Sequence, residues 1–377
     1  MPVRSGFGRV AVSNEGAELR CSVGRVATGA IRDDATLAAG IGGWLRERYA
    51  DRVDLRVDGL IRPKSGWSNE TVIVDTSWAA GAAPDRDRNR ERLVVRLPLV
   101  APSYPSYELH NQAVVLDVLE GAAVPAPHAV AVEDDPSWVG APFLVMTFAA
   151  GDPVGEAPAL DQRLLTRPVE EQRRIQEGFL DALAAVHGID TDAAAPLRAL
   201  RHGVAEEIDY WTAYVSWAAD GAPARVLADA MRWCADTIPR EPVPDSLLWG
   251  DARLGNVLYD DDGRVVALLD WELATIGPAE MDLGWYLVLD ELTTGFVGRT
   301  VPGFVDRTGA IRHYEQVLGR DVVQLEWHEI FALARSIAIN DCQARLAAAA
   351  GTPYPGVPGD ANPILAHLDK RIGAYAA

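Results

Sequence analysis

The chain has 377 residues, of which 49% are hydrophobic and 24% charged, and 54 Asp plus Glu stand against 35 Lys plus Arg for a formal net charge of −19. These proportions exclude a disordered, collagenous or disulfide-scaffold protein, and the length exceeds what one core usually organises, so two subdomains with a site between them are expected. So acidic a surface repels nucleic acid and anionic membranes and favours cationic small molecules or metal ions as partners.

Residues 1–33 mix Gly, Ser, Arg and Val without a sustained period and read as a flexible N-terminal arm. From Asp34, an acidic N-cap and apolar residues at helical spacing (Leu37, Ile41, Trp44, Leu45) predict a first helix. Three strand-like pieces follow, VDLRVDGLIRP, TVIVDTSW and RLVVRLPL, with a Gly- and Asp-rich turn before the last, and together they predict a small antiparallel sheet. Tyr107 to Leu119 reads as a helix, VPAPHAVAVE as a strand, and APFLVMTFAAG as an apolar strand ending at Gly151. Residues 34–150 are therefore expected to form one lobe.

Past Gly151 the pattern becomes helical, with Ile175, Phe179, Leu180, Leu183 and Val186 on one face, and residues 151–377 are expected to form a second, mainly helical lobe. One hairpin interrupts it: NVLYDDDGRVVALLDWE, turning at Asp262-Gly263. Cys21, Cys234 and Cys342 match no metal spacing or disulfide framework, which suits a reducing compartment. The N-terminus lacks the apolar run of a signal peptide and no stretch reaches the roughly 18 apolar residues of a membrane span, so a cytoplasmic protein is expected.

The chemistry concentrates in LLWGDARLGNVLYDDDGRVVALLDWE. Asp251 ends one apolar run, Asn256 follows five residues later, and Asp270 ends the second hairpin strand. Carboxylates at the ends of buried apolar strands need compensation, because an unpaired buried charge is costly. A divalent cation would supply it: Asn carbonyl and Asp carboxylate oxygens are hard ligands suited to Mg2+ carrying substrate phosphates, and the upstream carboxylate could accept the proton of an attacking hydroxyl.

This D-x-x-x-x-N, hairpin, Asp order resembles the catalytic core of the protein kinase superfamily. Trp249-Gly250-Asp251-Ala252-Arg253-Leu254-Gly255-Asn256 is similar to the His-Gly-Asp loop of aminoglycoside phosphotransferases and choline kinases. The continuation LLDWELATIGPAEMDLGWYL resembles the bacterial phosphotransferase branch that includes kinase-like domains fused to some acyl-CoA dehydrogenases. The likeness runs from about residue 35 to the C-terminus and is densest from Leu247 to Leu287.

The resemblance implies an α+β, bilobal protein kinase-like fold: a nucleotide-binding sheet lobe (34–150) and a helical lobe carrying the catalytic loop and substrate site (151–377). It implies ATP and Mg2+ as cofactors and transfer to a hydroxyl of a small molecule. Asp251 becomes the catalytic base, Arg253 a cation near the transferred phosphate, and Asn256 and Asp270 the magnesium ligands. Ser68 and Asn69, in Lys64-Ser65-Gly66-Trp67-Ser68-Asn69-Glu70, fall in the phosphate-covering loop, Arg96 stands where kinases place a phosphate-reaching lysine, and Met146, Thr147 and Phe148 form the hinge that meets adenine.

Three positions depart from the family pattern: Trp249 for His, Arg96 for Lys, and Gln112 near the place of the acid that pairs with that lysine, with Glu108 one turn earlier as a substitute. Asp282 reads as a brace for the catalytic loop, Glu272 as a residue beside the metal ligands, His187 as a packing residue, and Trp67 and Trp285 as pocket walls. For the acceptor, an aminoglycoside would be drawn to Asp290, Glu291 and Asp341, whereas apolar helices suit a macrolide, a hydroxy acid or a hydroxyacyl-CoA. A nucleotide-binding pseudokinase is the alternative from another class.

Overall fold

The computed structural model describes residues 32–63, 68–80, 87–122, 124–191, 195–240, 243–351 and 358–375. Most of the expected arm, Cys21 and residues 64–67 of the phosphate-covering loop lie outside the described residues. Helix α1 (Asp34–Arg48) starts where an acidic cap was expected, although the cap is Asp33, whose carboxylate accepts the Thr36 N–H at 2.8 Å. Strands β1 (Arg56–Ile61), β2 (Asn69–Ala79) and β3 (Arg88–Pro98), helix α2 (Leu109–Gly121), and strands β4 (Ala129–Glu133) and β5 (Phe143–Thr147) follow. The last strand stops at Thr147, short of the expected Gly151.

The five strands form one antiparallel sheet in the order β1-β2-β3-β5-β4. Because strand side chains alternate, the sheet has two different faces. Val72, Val74, Leu93, Val95, Phe143 and Val145 pack under Leu37, Ile41, Trp44 and Leu45 of α1. Thr71, Ile73, Val94, Arg96 and Met146 point the other way, into a cleft. Arg96 is thus buried by the same alternation that builds the core.

The remainder comprises β6 (Asp152–Pro153), α3 (Gln162–Leu165), α4 (Val169–His187), α5 (Gly203–Ala218), α6 (Arg225–Asp236), β7 (Asp245–Leu248), β8 (Val257–Tyr259), β9 (Val265–Leu268), β10 (Thr275–Pro278), α7 (Glu280–Val297), α8 (Arg307–Leu318), α9 (Leu325–Ala350) and α10 (Ile364–Tyr375). The fold is α+β, with an antiparallel sheet toward the N-terminus and a mainly helical remainder. The apolar stripe of α4 is buried as expected. Strands β8 and β9 pair as the predicted hairpin, with Gly263 at φ 76° in its turn.

A short ladder between β7 and β10, from Leu248 opposite Thr275 to Asp245 opposite Pro278, was not legible in the sequence. It folds the segment after Asp270 back beside Asp251. Among the described residues no helix is long and apolar enough to cross a membrane.

Phe143 is fully buried and meets Trp44 edge-on, ring centroids 5.3 Å apart. Phe143→Ala should cost about 3–5 kcal/mol of stability, read as a lowered urea midpoint.

Candidate active site

Strand β7 delivers a three-residue corner, Trp249-Gly250-Asp251, that a single buried carboxylate holds. Asp282, 1% exposed on the first turn of α7, accepts the N–H of Trp249 at 2.6 Å and that of Gly250 at 2.9 Å. His187 Nε2 lies 3.1 Å from the same carboxylate, and its Nδ1 lies 2.5 Å from the Tyr314 hydroxyl. His187 therefore joins Asp282 to Tyr314 within the core. Gly250 has φ 84°, and a Cβ there would sit 2.2 Å from the Leu273 carbonyl oxygen, so no other residue fits. Its own carbonyl accepts Arg335 Nη2–H at 2.8 Å. Trp249 turns inward, donates its indole N–H to the Leu269 carbonyl at 2.7 Å and stacks on Trp271 at 5.4 Å.

Both oxygens of Asp251 are engaged. Oδ2 accepts Arg253 Nε–H at 2.9 Å and Asn256 Nδ2–H at 2.8 Å, and Oδ1 accepts the indole N–H of Trp285 at 2.9 Å. Burial opposes ionisation, but Arg253, Asn256 and Trp285 outweigh it and hold this carboxyl below its usual value. Arg253 also pairs with Glu156. Asn256 lies in a 3-10 turn (Leu254–Asn256) and donates a second bond to the Asp251 carbonyl at 3.0 Å. Its backbone carbonyl accepts the Leu269 N–H at 2.8 Å, which leaves the side-chain oxygen Oδ1 outside these bonds.

Across the cleft, Arg96 Nη2 donates to Asp270 at 2.6 Å and lies 3.5 Å from Glu272. Asn69 Nδ2 donates to Glu272 as well. Burial, with the neighbouring Asp270 charge, pushes the Glu272 carboxyl up to about 8 against the pull of Arg96. Asp270 holds a left-handed backbone at φ 65°, which Asp tolerates better than most residues. Neither residue considered on α2 as partner for Arg96 serves as one. Glu108 is the exposed N-cap of α2, and the buried Gln112 leaves Nε2 without a partner. The acids that hold Arg96 come from the turn after β9 instead.

The ten residues to which the resemblance assigns catalytic, nucleotide-binding or metal-ligand roles, Ser68, Asn69, Arg96, Met146, Thr147, Phe148, Asp251, Arg253, Asn256 and Asp270, line one cleft of about 620 Å³ between the sheet and the helices. Asp270 and Asn256 bring free hard oxygens to it, a donor set that fits Mg2+. On the far side of Asp251 the wall is neutral: Trp285 and Leu289 of α7, and Ser336, Ile339, Asn340 and Gln343 at helical spacing on α9. The carboxylates expected to attract a cationic acceptor are elsewhere. Asp290 lines a separate cavity, Glu291 pairs with His367 and Arg371, and Asp341 accepts the Gly359 N–H.

Sequence reasoning missed Glu156 and Arg335. Glu156 lies in a loop without a motif, and Arg335 sits in an alanine-rich helical run, FALARSIAIN, where its charge was the only signal.

The sequence profile of the phosphotransferase enzyme family matches residues 59–320, and the chain belongs to that family. Its fold is kinase-like. Among particular relatives, it is 27% identical over 241 residues to the Arabidopsis thaliana protein named probable acyl-CoA dehydrogenase IBR3, covering 58% of this chain and 29% of that protein. The chain thus spans less than a third of that relative's length. A Ralstonia eutropha protein provisionally described as an aminoglycoside phosphotransferase superposes with a TM-score of 0.60 at 21% identity, over 89% of this chain and 95% of the other. The GDP complex of aminoglycoside 2'-phosphotransferase-IIIa gives 0.54 at 14% identity, over 90% and 99%. At these identities the likeness is one of fold.

Removing the brace should show in stability before chemistry. Asp282→Ala strands two buried N–H groups, and a loss of about 3 kcal/mol or more is expected from chemical denaturation.

Proposed function

We propose that the protein transfers the γ-phosphoryl group of ATP to a hydroxyl group of a small molecule, with Mg2+. The observation that carries this reading is the convergence of Asp251, Asn256, Asp270, Arg96 and Arg253 on one cleft. Phosphoryl transfer asks a protein for positioning and charge neutralisation more than for covalent chemistry, and these groups supply both.

In this reading the acceptor hydroxyl gives its proton to Asp251 as its oxygen bonds to the γ-phosphorus, the bond from that phosphorus to the β–γ bridging oxygen breaks, and ADP departs. Arg253 lies beside Asp251, where it can stabilise negative charge on the transferred group. Asn256 and Asp270 would hold Mg2+, which neutralises phosphate charge. Ser68 and Asn69 approach the phosphates from the sheet, and Arg96 can exchange its hold on Asp270 for them. The chain at Met146–Phe148 receives the adenine. There the Thr147 N–H is already committed to the His128 carbonyl at 3.0 Å, so Phe148 and the residues after it offer the available backbone groups. That a solved neighbour carries a guanine nucleotide supports nucleotide use at this fold's cleft.

The neutral wall favours a finer reading of the acceptor. An aminoglycoside would bring several ammonium groups against indole, leucine, isoleucine and amide side chains, and an unpaired buried charge is expensive. A hydroxy acid or hydroxyacyl-CoA presents an apolar body to that surface instead, and the relatives named as acyl-CoA dehydrogenases point the same way.

Isothermal titration with Mg2+ and a non-hydrolysable ATP analogue should show binding that survives in Asp251→Asn, while phosphotransfer in that variant falls at least about 1,000-fold. Absence of binding, or full activity in Asp251→Asn, refutes the kinase reading; binding without turnover of any acceptor supports a pseudokinase. In parallel assays, a 4-hydroxyacyl-CoA should be phosphorylated and kanamycin should not. Turnover of kanamycin alone would overturn the finer reading.

A further inference from the structure

One indole and one guanidinium stand between the helical core and Asp251. Trp285, 3% exposed, donates to Oδ1, the oxygen that Arg253 and Asn256 do not bind. Arg335, 2% exposed, places its guanidinium carbon 4.7 Å from the centroid of the Trp285 ring, 4.7 Å from that of Trp211 and 5.8 Å from that of Phe331. Its Nη2 holds the Gly250 carbonyl, one residue before Asp251. No carboxylate pairs with it among the described residues, and its Nε has no partner. Aromatic faces compensate a buried cation only in part, and a methionine or leucine would fill this space at lower cost. Packing therefore does not account for a guanidinium at this point.

Oδ2 accepts two donors and has both lone-pair directions taken, whereas Oδ1 accepts Trp285 alone and keeps one direction for a further contact. Rotation about the Cβ–Cγ bond moves both carboxylate oxygens together, so the two donors on Oδ2 restrain it and a third donor, on Oδ1, narrows it further. The indole N–H can do this only if the ring is itself fixed in plane, and Arg335 lies against that ring.

We propose that Trp285 and Arg335 are positioning residues for phosphoryl transfer: Arg335 fixes the Gly250 carbonyl and the Trp285 ring, and the Trp285 N–H sets the rotation of the Asp251 carboxylate toward the acceptor hydroxyl. This rests on the reading of Asp251 as the proton acceptor. It assigns to α9, far along the chain from the catalytic motif, a direct part in aiming that residue.

The test uses the full chain, Mg·ATP turnover measured as ADP release with water as acceptor, and the NMR signals of 15N-labelled indoles. Trp285→Phe keeps a ring for Arg335 and removes the donor; Arg335→Met removes the charge and Arg335→Lys keeps it. Trp285→Phe and Arg335→Met should each lower kcat about 10-fold with the KM for ATP unchanged, and Arg335→Lys should recover part of the loss. The indole signal missing from Trp285→Phe should shift in Asp251→Asn. A purely structural role predicts a lower Tm with kcat per folded molecule unchanged and that indole signal unmoved by Asp251→Asn; either result overturns the inference. Should the Arg335 variants fail to fold, Trp285→Phe and the indole signal decide. Turnover that persists in Asp251→Asn, or is absent from the unaltered protein, removes the kinase reading and this inference together. Turnover lost in Asp251→Asn but unchanged in Trp285→Phe removes only the inference.

Discussion

The site depends on one buried carboxylate meeting two consecutive backbone N–H groups. Asp282 is removed from water, so its charge must be matched inside the protein, and the N–H groups of Trp249 and Gly250 supply the match only when the chain turns at Gly250 as it does. That turn needs a positive φ and leaves no room for a side chain against Leu273. The Trp249-Gly250-Asp251 corner and the segment following Asp270 are consequently packed backbone to backbone. Trp249 adds a second connection, with its indole on the Leu269 carbonyl and its face on Trp271. Trp249 thus places a donor in the loop and adds a large apolar face that ties it to the turn at Asp270.

The cleft shares the acidic balance of the chain, with Arg96 and Arg253 set among Glu156, Asp251, Asp270 and Glu272. The chain carries −19 overall and would repel a nucleotide at long range, so affinity for a polyanion has to come from a few cations at short range. Two of them, Arg96 and Arg253, are already engaged with carboxylates in the cleft. In the proposed reading an incoming phosphate would compete with Asp270 for Arg96, and a divalent cation would be held by Asp270. Each exchange would then ease the other, because neutralising Asp270 would free the Arg96 guanidinium.

The two-lobe pattern, the hairpin and the residues that line the cleft were legible because each rests on local signals: period-two strands, an Asp-Gly turn, and a motif with fixed spacing. The β7–β10 ladder was not, since four-residue strands carry little periodic information and their pairing is a tertiary event. The partners of Arg96 were misplaced for the same reason. Spacing along α2 pointed to Glu108 or Gln112, yet the acids that reach the guanidinium lie some 174 and 176 residues downstream. Arg335 was hidden because nothing in an alanine-rich helix marks which of its residues faces a loop 85 positions earlier.

The Arg96 and Gln112 departures are best understood as one change. In the kinase pattern the cation on the third strand pairs with an acid on the following helix, an ion pair contained within the sheet lobe. Here α2 offers a neutral amide at that place, and the cation turns across the cleft to Asp270 and Glu272, where Asn69 also donates to Glu272. The ion pair has moved from within one lobe to between two. The position of α2 is then set by packing of Leu109, Val115, Leu116 and Leu119 and no longer by charge. Arginine suits this arrangement better than lysine because it stays charged while buried, and here one nitrogen, Nη2, faces both Asp270 and Glu272.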